Sequence, residues 1–330
     1  MTTIKKLKLK LKSGLLSEVQ SDTIFGHFAW RFKEYHNDEK LLDFLNLFVD
    51  GLPVFTISDG MFEKRIWDRE REKIIEEKIY FPKPLKLSPA KFDSKNKKER
   101  IINFIKQKES KSRKLVTLQE LNFYLNGELE KFEKSLEIPL KNTPKFVEDL
   151  RVSVEIDRQT FQSKEEQLFT YHPKYLDDDT FIDIFIKVID KNKWNEFECE
   201  KIFKSVFEIG FGKKKSSGYG QFKIIDFDNF DGFSESADAN GFVSLSHYMP
   251  ANKDKITDAY YDINVKYGKF GEEKSNSHNP FKPPMLLMKP GSCFLTNESK
   301  DFYGRVIKGI NAYQPKTIHN CIAFSLNCKF

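Results

Sequence analysis

The first dozen residues alternate: Ile4, Leu7, Leu9 and Leu11 stand against lysines on the other face, which predicts an amphipathic strand ending at the Ser13-Gly14 turn. The period then changes. Ile24, Phe25, Phe28 and Phe32 recur at helical spacing, so a helix is expected with Ser21-Asp22 as its N-cap and Gly26 permitting tight packing against a neighbour. A second amphipathic helix follows over 39–49, then a strand over 52–60 that ends in a turn. Phe81-Pro82-Lys83-Pro84 is extended, because each proline fixes its own φ and turns its predecessor away from helix. Alternation resumes at 150–158 and, beyond the polar stretch 159–166, at 167–171, which predicts a long hairpin projecting from the sheet. Residues 180–189 read as another strand. Phe197, Ile202, Phe203, Val206 and Phe207 predict a helix over 194–209, and Phe222, Ile224 and Phe227 a strand after it.

Taken in order, these elements give βαββαβ, the arrangement of a ferredoxin-like or RNA-recognition-type domain. Residues 226–241 are acidic, carry Gly, Ser and Asn, and read as a linker. Beyond them come short strands near 242–247, 260–267, 285–288, 291–295, 304–307 and 322–330, with no long helical segment. The expected fold class is therefore α+β with two ferredoxin-like domains. The first, 1–228, holds an insertion at about 63–140 and a glycine-rich loop at 210–221; the second, 241–330, is strand-rich and degenerate. The insertion is expected to be basic and partly helical: between Lys86 and Lys114 there are eleven Lys or Arg against three acids, with Ile101, Ile102 and Ile105 at helical spacing. That run is as readily a solvated face as a functional patch.

At 330 residues the chain has ample core for two domains, and a net charge of +6 makes it mildly basic rather than an indiscriminate binder of nucleic acid. The 32 phenylalanines exceed what one small core needs, so some are expected at interfaces. Cys199, Cys293, Cys321 and Cys328 form no CxxC pair and no zinc spacing, which points to a reducing compartment. No signal peptide and no apolar stretch of membrane-spanning length is present, so a cytoplasmic protein with no membrane partner is expected.

The densest chemistry lies in Gly210, Phe211, Gly212, Lys213, Lys214, Lys215, Ser216, Ser217, Gly218, Tyr219, Gly220 and Gln221. Glycines allow positive φ and close backbone approach, so that N–H groups can face phosphate oxygens; the lysines add charge and the serines hydroxyl donors. A plain helix C-cap needs one glycine and no lysine triplet. The stretch follows a helix and precedes a strand, the reverse of the dinucleotide fingerprint, and its glycine spacing is not that of a Walker loop. A polyanion backbone is the expected ligand, with Tyr219 available to stack on a base.

This helix, glycine turn and strand together resemble the glycine-rich loop of the CRISPR RAMP superfamily. Ser21-Asp22-Thr23-Ile24-Phe25-Gly26 is similar to the first-helix motif of that group; Phe81-Pro82-Lys83-Pro84 and Ile156-Asp157-Arg158-Gln159-Thr160 resemble internal motifs. Val243-Ser244-Leu245-Ser246, Tyr267-Gly268-Lys269, Pro290-Gly291-Ser292-Cys293-Phe294 and Tyr303-Gly304-Arg305-Val306 follow one branch, the fourth Csm subunit of type III-A effector complexes. The resemblance implies a non-catalytic subunit that grips the repeat-derived 5′ handle of the crRNA. It implies contact with the large palm-domain Csm subunit on one side and a backbone RAMP subunit on the other. By position it assigns handle phosphates to Gly210 through Gln221, a wedging thumb to the hairpin bearing Arg158, Gln159 and Thr160, and an RNA-facing helix to Ser21, Thr23 and His27. No cofactor and no metal is implied.

Three other readings remain. Some RAMP relatives cleave precursor crRNA with a histidine, and His27 occupies the place to examine; cleavage needs a base near the 2′-OH and a partner near the leaving oxygen. A type III-B counterpart is the other branch. A third class is a subunit-interaction module whose glycine loop is only structural. His172, His278 and His319 are scattered without a ligand motif, and Asp177-Asp178-Asp179 is either a metal site or a solvated turn, the turn being preferred. Asp157 and Arg158 are expected to pair and orient the hairpin.

Overall fold

Leucines at alternate positions put one face of β1 (Thr3–Leu11) into a core: Leu7, Leu9 and Leu11 are buried against the helices. The computed structural model describes residues 2–68, 73–86, 112–157, 159–271, 273–274, 278–311, 313 and 315–330. After β1 come α1 (Ser21–Tyr35), α2 (Asp38–Val49), β2 (Phe55–Ile57), β3 (Met61–Asp68), β4 (Lys73–Pro82) and β5 (Leu115–Thr117). Next are α3 (Leu118–Leu125), α4 (Leu129–Leu136), β6 (Val147–Glu148), β7 (Arg151–Ile156), β8 (Ser163–Tyr171), β9 (Lys174–Tyr175) and β10 (Thr180–Val188). The middle closes with α5 (Lys191–Glu196), α6 (Cys199–Glu208) and β11 (Phe222–Asn229). The remainder is β12 (Gly241–Ser244), β13 (Ile256–Tyr260), β14 (Ile263–Lys266), β15 (Met285–Met288), β16 (Cys293–Thr296), β17 (Tyr303–Lys308), β18 (Ile318–Ala323) and β19 (Ser325–Cys328).

A seven-stranded antiparallel sheet runs β11-β1-β10-β3-β4-β5, with β2 also paired to β10. One face carries α1, α2 and α6, and the core there buries twelve of the phenylalanines. Phe25 meets Phe48 at 4.9 Å, Phe32 meets Phe44 at 4.6 Å and Phe28 meets Phe203 at 4.7 Å between ring centroids. Such edge and offset contacts add to the burial of large apolar area. The C-terminal strands form a four-stranded sheet, β13-β16-β12-β19, and two-stranded ribbons β14-β15 and β17-β18. A shared apolar cluster joins the halves: Phe81 and Phe185 pack with Val243, Leu245, Phe324 and Leu326. The architecture is mixed α and β with antiparallel sheets, as expected, and the four cysteines are buried free thiols.

Several expectations are corrected. The lysine face of β1 is not solvated: Lys8 and Lys10 are buried, and Lys6 and Lys8 meet Glu63 of β3. Residues 63–82, placed in the insertion, instead supply β3 and β4 of the main sheet; alternation there is masked by charge, because Glu63 and Lys64 replace apolar residues at sheet positions. The helix expected at 101–105 lies outside the described residues. The helix over 194–209 is two, broken where Glu198 takes φ +49°; its apolar period runs through the break, so spacing did not reveal it. Ser21-Asp22 is not the cap of α1. Gln20 holds that position without a side-chain bond, and the Ser21 N–H donates to Asp59 Oδ1 at 2.9 Å, so the cap comes from a distant carboxylate. Gly26 is not a packing glycine, since a Cβ there would meet nothing within 4 Å.

Candidate nucleic-acid interface

The glycine stretch follows α6 directly and closes on itself, the Phe211 N–H donating to the Gly220 carbonyl at 2.8 Å. Glycine is required at both ends of the closure. Gly220 has φ +63°, and a Cβ there would lie 2.0 Å from the Phe211 oxygen; Gly212 has φ +81°, and a Cβ would strike Ser17 at 2.6 Å. Phe211 anchors the base, fully buried and stacked on Phe207 at 5.5 Å. Three further bonds latch the loop to the segment after β1. The Lys213 N–H donates to Ser17 Oγ at 2.8 Å, the Gln221 N–H to Ser13 Oγ at 2.9 Å, and the Gly220 N–H to the Gly14 carbonyl at 2.9 Å.

The latch changes the expected chemistry. Two N–H groups at the loop's start, those of Gly212 and Lys213, are taken by His27 and Ser17 rather than open to an anion. What projects is side chains. Lys213, Lys214, Ser216, Ser217 and Gly218 are exposed, around a single 3-10 turn at Lys215–Ser217, and Lys214 stands in the left-handed region at φ +56°. Tyr219 is half-buried. Lys214 Nζ sits 3.4 Å from the ring centroid of Tyr171, at the end of β8, a cation–π contact that links the loop to the hairpin.

His27 is half-buried on α1 and accepts from the Gly212 N–H through Nε2 at 3.2 Å, with its ring 4.8 Å from Phe211. An acceptor nitrogen must carry its lone pair inward, which leaves that nitrogen unavailable as a general base. Thr23 half-buries on the same helix, and its hydroxyl accepts from Lys266 Nζ at 2.8 Å. Ser21 is buried, its hydroxyl 3.4 Å from the His247 carbonyl, so it does not share the surface with Thr23 and His27.

The hairpin β7-β8 forms its own two-stranded sheet, matching the projecting ribbon expected. Val154 pairs with Leu168 and Val152 with Thr170; Val152, Val154, Ile156 and Leu168 are all exposed. At the tip, the Gln159 and Thr160 N–H groups donate to Asp157 Oδ1 at 2.7 and 3.2 Å, so Asp157 braces the turn through backbone. Arg158, and with it the expected ion pair, lies outside the described residues. Phe161 stands out at 84% exposure.

A buried polar network at the start of α1 escaped the sequence reading. His247 Nδ1 lies 2.5 Å from Asp59 Oδ2, and its Nε2 contacts Gln20 at 3.4 Å and Asn264 at 3.2 Å. Burial opposes charge on His247, but Asp59 outweighs it and holds the imidazole above its ordinary value. Beside it, Lys266 Nζ reaches Asp22 Oδ1 at 2.5 Å and Gln20 Oε1 at 2.6 Å, while His319 Nε2 stands 3.0 Å from Asp22 Oδ2 without hydrogen-bond alignment. Burial of Asp22 is overcome by His319 and Lys266, which hold its carboxyl far below the usual range. Apart from Asn264 and His247, which are 17 residues apart, the partners are more than 180 residues apart in sequence, so no local spacing exposes them. Asp177 serves a turn, accepting from Thr180 Oγ1 at 2.6 Å and from Lys64. Among the described residues no cluster of three metal-ligating side chains occurs, and no helix is long and apolar enough to cross a membrane.

No family model and no curated protein sequence matches the chain. Solved structures do match. A chain in the crystal structure of a Csm1-Csm4 cassette in complex with pppApA aligns with a TM-score of 0.60 at 14% identity, covering 100% of this chain and 99% of that one. A chain in the crystal structure of the Csm3-Csm4 subcomplex of the type III-A CRISPR-Cas interference complex aligns with a TM-score of 0.59 at 14% identity, over 98% of each. The fold is shared from end to end with chains of these assemblies.

Proposed function

We propose that this chain is the fourth Csm subunit of a type III-A CRISPR effector complex, a non-catalytic member of the RAMP superfamily that binds the crRNA 5′ handle in antiviral defence. The observation that carries the reading is the end-to-end fold likeness to chains crystallised in Csm1-Csm4 and Csm3-Csm4 assemblies. The loop chemistry supports it: Lys213 and Lys214 project from a latched base, where they can meet RNA phosphates at little entropic cost. The apolar face of β7-β8 suits insertion between nucleotides or against a neighbour. Two RAMP domains, 1–228 and 241–330, fit the two sheets and their shared core. The large palm-domain subunit and a backbone RAMP subunit are the protein partners, and exposed Ile263, Val265 and Leu286 on β14-β15 offer one of them an apolar face. His27 acts as a latch for the loop, which disfavours the endoribonuclease alternative.

Co-expression with a tagged large Csm subunit and a CRISPR array, followed by sequencing of co-purified RNA, tests this. Uniform repeat-derived 5′ ends, still uniform with His27→Ala, are expected. Loss of processing in that variant would make His27 catalytic and overturn the scaffold reading; absence of RNA would reduce the loop to architecture.

A further inference from the structure

The glycine loop and the β7-β8 hairpin meet at two joints. Residues 13–17 form the first and seat both arms. On one side they take the latch bonds of the loop, from Lys213, Gly220 and Gln221. On the other, Leu15 exchanges backbone hydrogen bonds of 2.9 Å each way with Lys174 of β9, just after β8. Gly14 packs so closely there that a Cβ would lie 2.7 Å from Pro173 and 2.9 Å from the Tyr175 ring. This root alone would leave the two arms free to part above it.

The second joint is the contact between Lys214 and Tyr171. The ammonium lies 3.4 Å from the ring centroid, well inside the range over which a cation is attracted to an aromatic face. The backbone on both sides aims the pair. Lys214 stands in the left-handed region, φ +56° and ψ 29°, which glycine takes freely and which a residue with a Cβ disfavours. Its carbonyl holds that conformation by accepting from the Ser217 N–H at 2.9 Å and the Tyr219 N–H at 3.3 Å. Tyr171 is half-buried at the last position of β8, in register with Arg151 of β7, so its ring moves with the hairpin. A free lysine side chain samples many rotamers, and ordering it at the moment of binding costs entropy. Here the ring orders it beforehand. It covers one side of the ammonium, and the exposed side keeps N–H donors for an anion.

We propose that Tyr171 is a positioning residue for RNA: through its ring the hairpin holds the Lys214 ammonium at the seam with the glycine loop, so that both arms engage one strand as a unit. The inference deepens the RNA-binding reading and rests on it. A phosphate on Lys214 then also restrains the hairpin, and a hairpin released from Lys214 binds RNA less well with no loss of charge.

Four full-length variants test this: Tyr171→Leu, Tyr171→Phe, Lys214→Gln, and Tyr171→Leu combined with Lys214→Gln, with unchanged Tm as the control for folding. Single-stranded handle RNA is titrated across a salt series. Tyr171→Leu should weaken binding roughly two- to fivefold with the salt slope unchanged, because the charge remains. Tyr171→Phe keeps the ring face and should rescue the loss. In the Lys214→Gln background, Tyr171→Leu should cost nothing further. A loss that persists undiminished in that background would make the tyrosine an RNA contact or a packing residue in its own right and overturn the proposal, as would parental affinity in Tyr171→Leu. Hydrogen exchange of the RNA-free chain separates the proposal from the reading it rests on: amides at 168–171 should exchange faster in both Tyr171→Leu and Lys214→Gln than in the parent. If the parent binds no RNA while exchange shows the coupling, the RNA-binding reading fails and the joint stands. If the parent binds RNA and exchange is the same in all, the joint fails and the RNA-binding reading stands.

Discussion

Two stretches of this chain are rich in lysine, and the fold uses them in opposite ways. On β1, Lys6 and Lys8 turn under the sheet to Glu63, with Glu77 3.3 Å from Lys8 and Asp183 3.7 Å from Lys6. Lys10 donates to the Asp177 carbonyl at 2.8 Å. In the glycine loop, Lys213 and Lys214 point outward, and among the described residues neither has a carboxylate within ion-pair distance. Both stretches look alike as counts of positive charge. What separates them is the acid supplied by a distant strand: β3 brings Glu63 to β1, and among the described residues no carboxylate does the same for Lys213 or Lys214. Charge locates an anion site only after its internal partners are subtracted.

The sharpest way to break the comparison is to exchange the consequences. Lys8→Ala leaves Glu63 buried with a weakened partner set and is expected to cost about 3–5 kcal/mol of stability, measured by denaturant unfolding. The loop triple alanine variant is expected to leave unfolding unchanged and to weaken handle RNA binding roughly 10²-fold at low salt. If the β1 variant left stability intact and weakened RNA binding instead, the assignment of the two stretches would be reversed.

A smaller effect probes the carboxylates. Burial first, then the charge of Glu63, hold the Asp183 carboxyl well above its usual range, while Lys6 and Lys8 help bring Glu63 to about 2 against its own burial. A raised acid is protonated in the folded state when the unfolded chain has ionised, so Asp183 costs stability above the ordinary carboxylate range. Asp183→Asn should therefore raise stability at pH 7 by about 1 kcal/mol, and the gain should vanish below pH ~4. A loss of stability at pH 7 would contradict this protonation state.

The smallest effect concerns the junction of the halves. The folded pKa of His247 is raised, so its contribution is fully present below the unfolded value and is lost as pH rises through the folded one; Asp22 is lowered, so its contribution is lost only in strong acid. Thermal stability should thus fall by roughly 1 kcal/mol as His247 loses its proton, and His247→Gln should flatten that slope.

The helix-facing side of the sheet was legible in the sequence because its chemistry is local. Phe25, Phe28 and Phe32 recur along one helix, and Leu7, Leu9 and Leu11 along one strand. The glycine loop was legible for the same reason, its glycines and lysines lying within a dozen residues. Its latch was not, since Ser13, Ser17 and His27 are brought to it by the fold. Residues 63–82 were misread as insertion because strands whose faces carry paired charges lose the apolar alternation by which strands are recognised.

The most direct test of the account is the salt dependence of handle RNA binding for the full chain and its Lys213→Ala, Lys214→Ala, Lys215→Ala variant. The slope of log affinity against log salt should become shallower by about 2 in the variant, as expected when three cations leave a single strand. An unchanged slope would mean that the loop lysines do not meet RNA phosphates, and the loop would then be architecture alone.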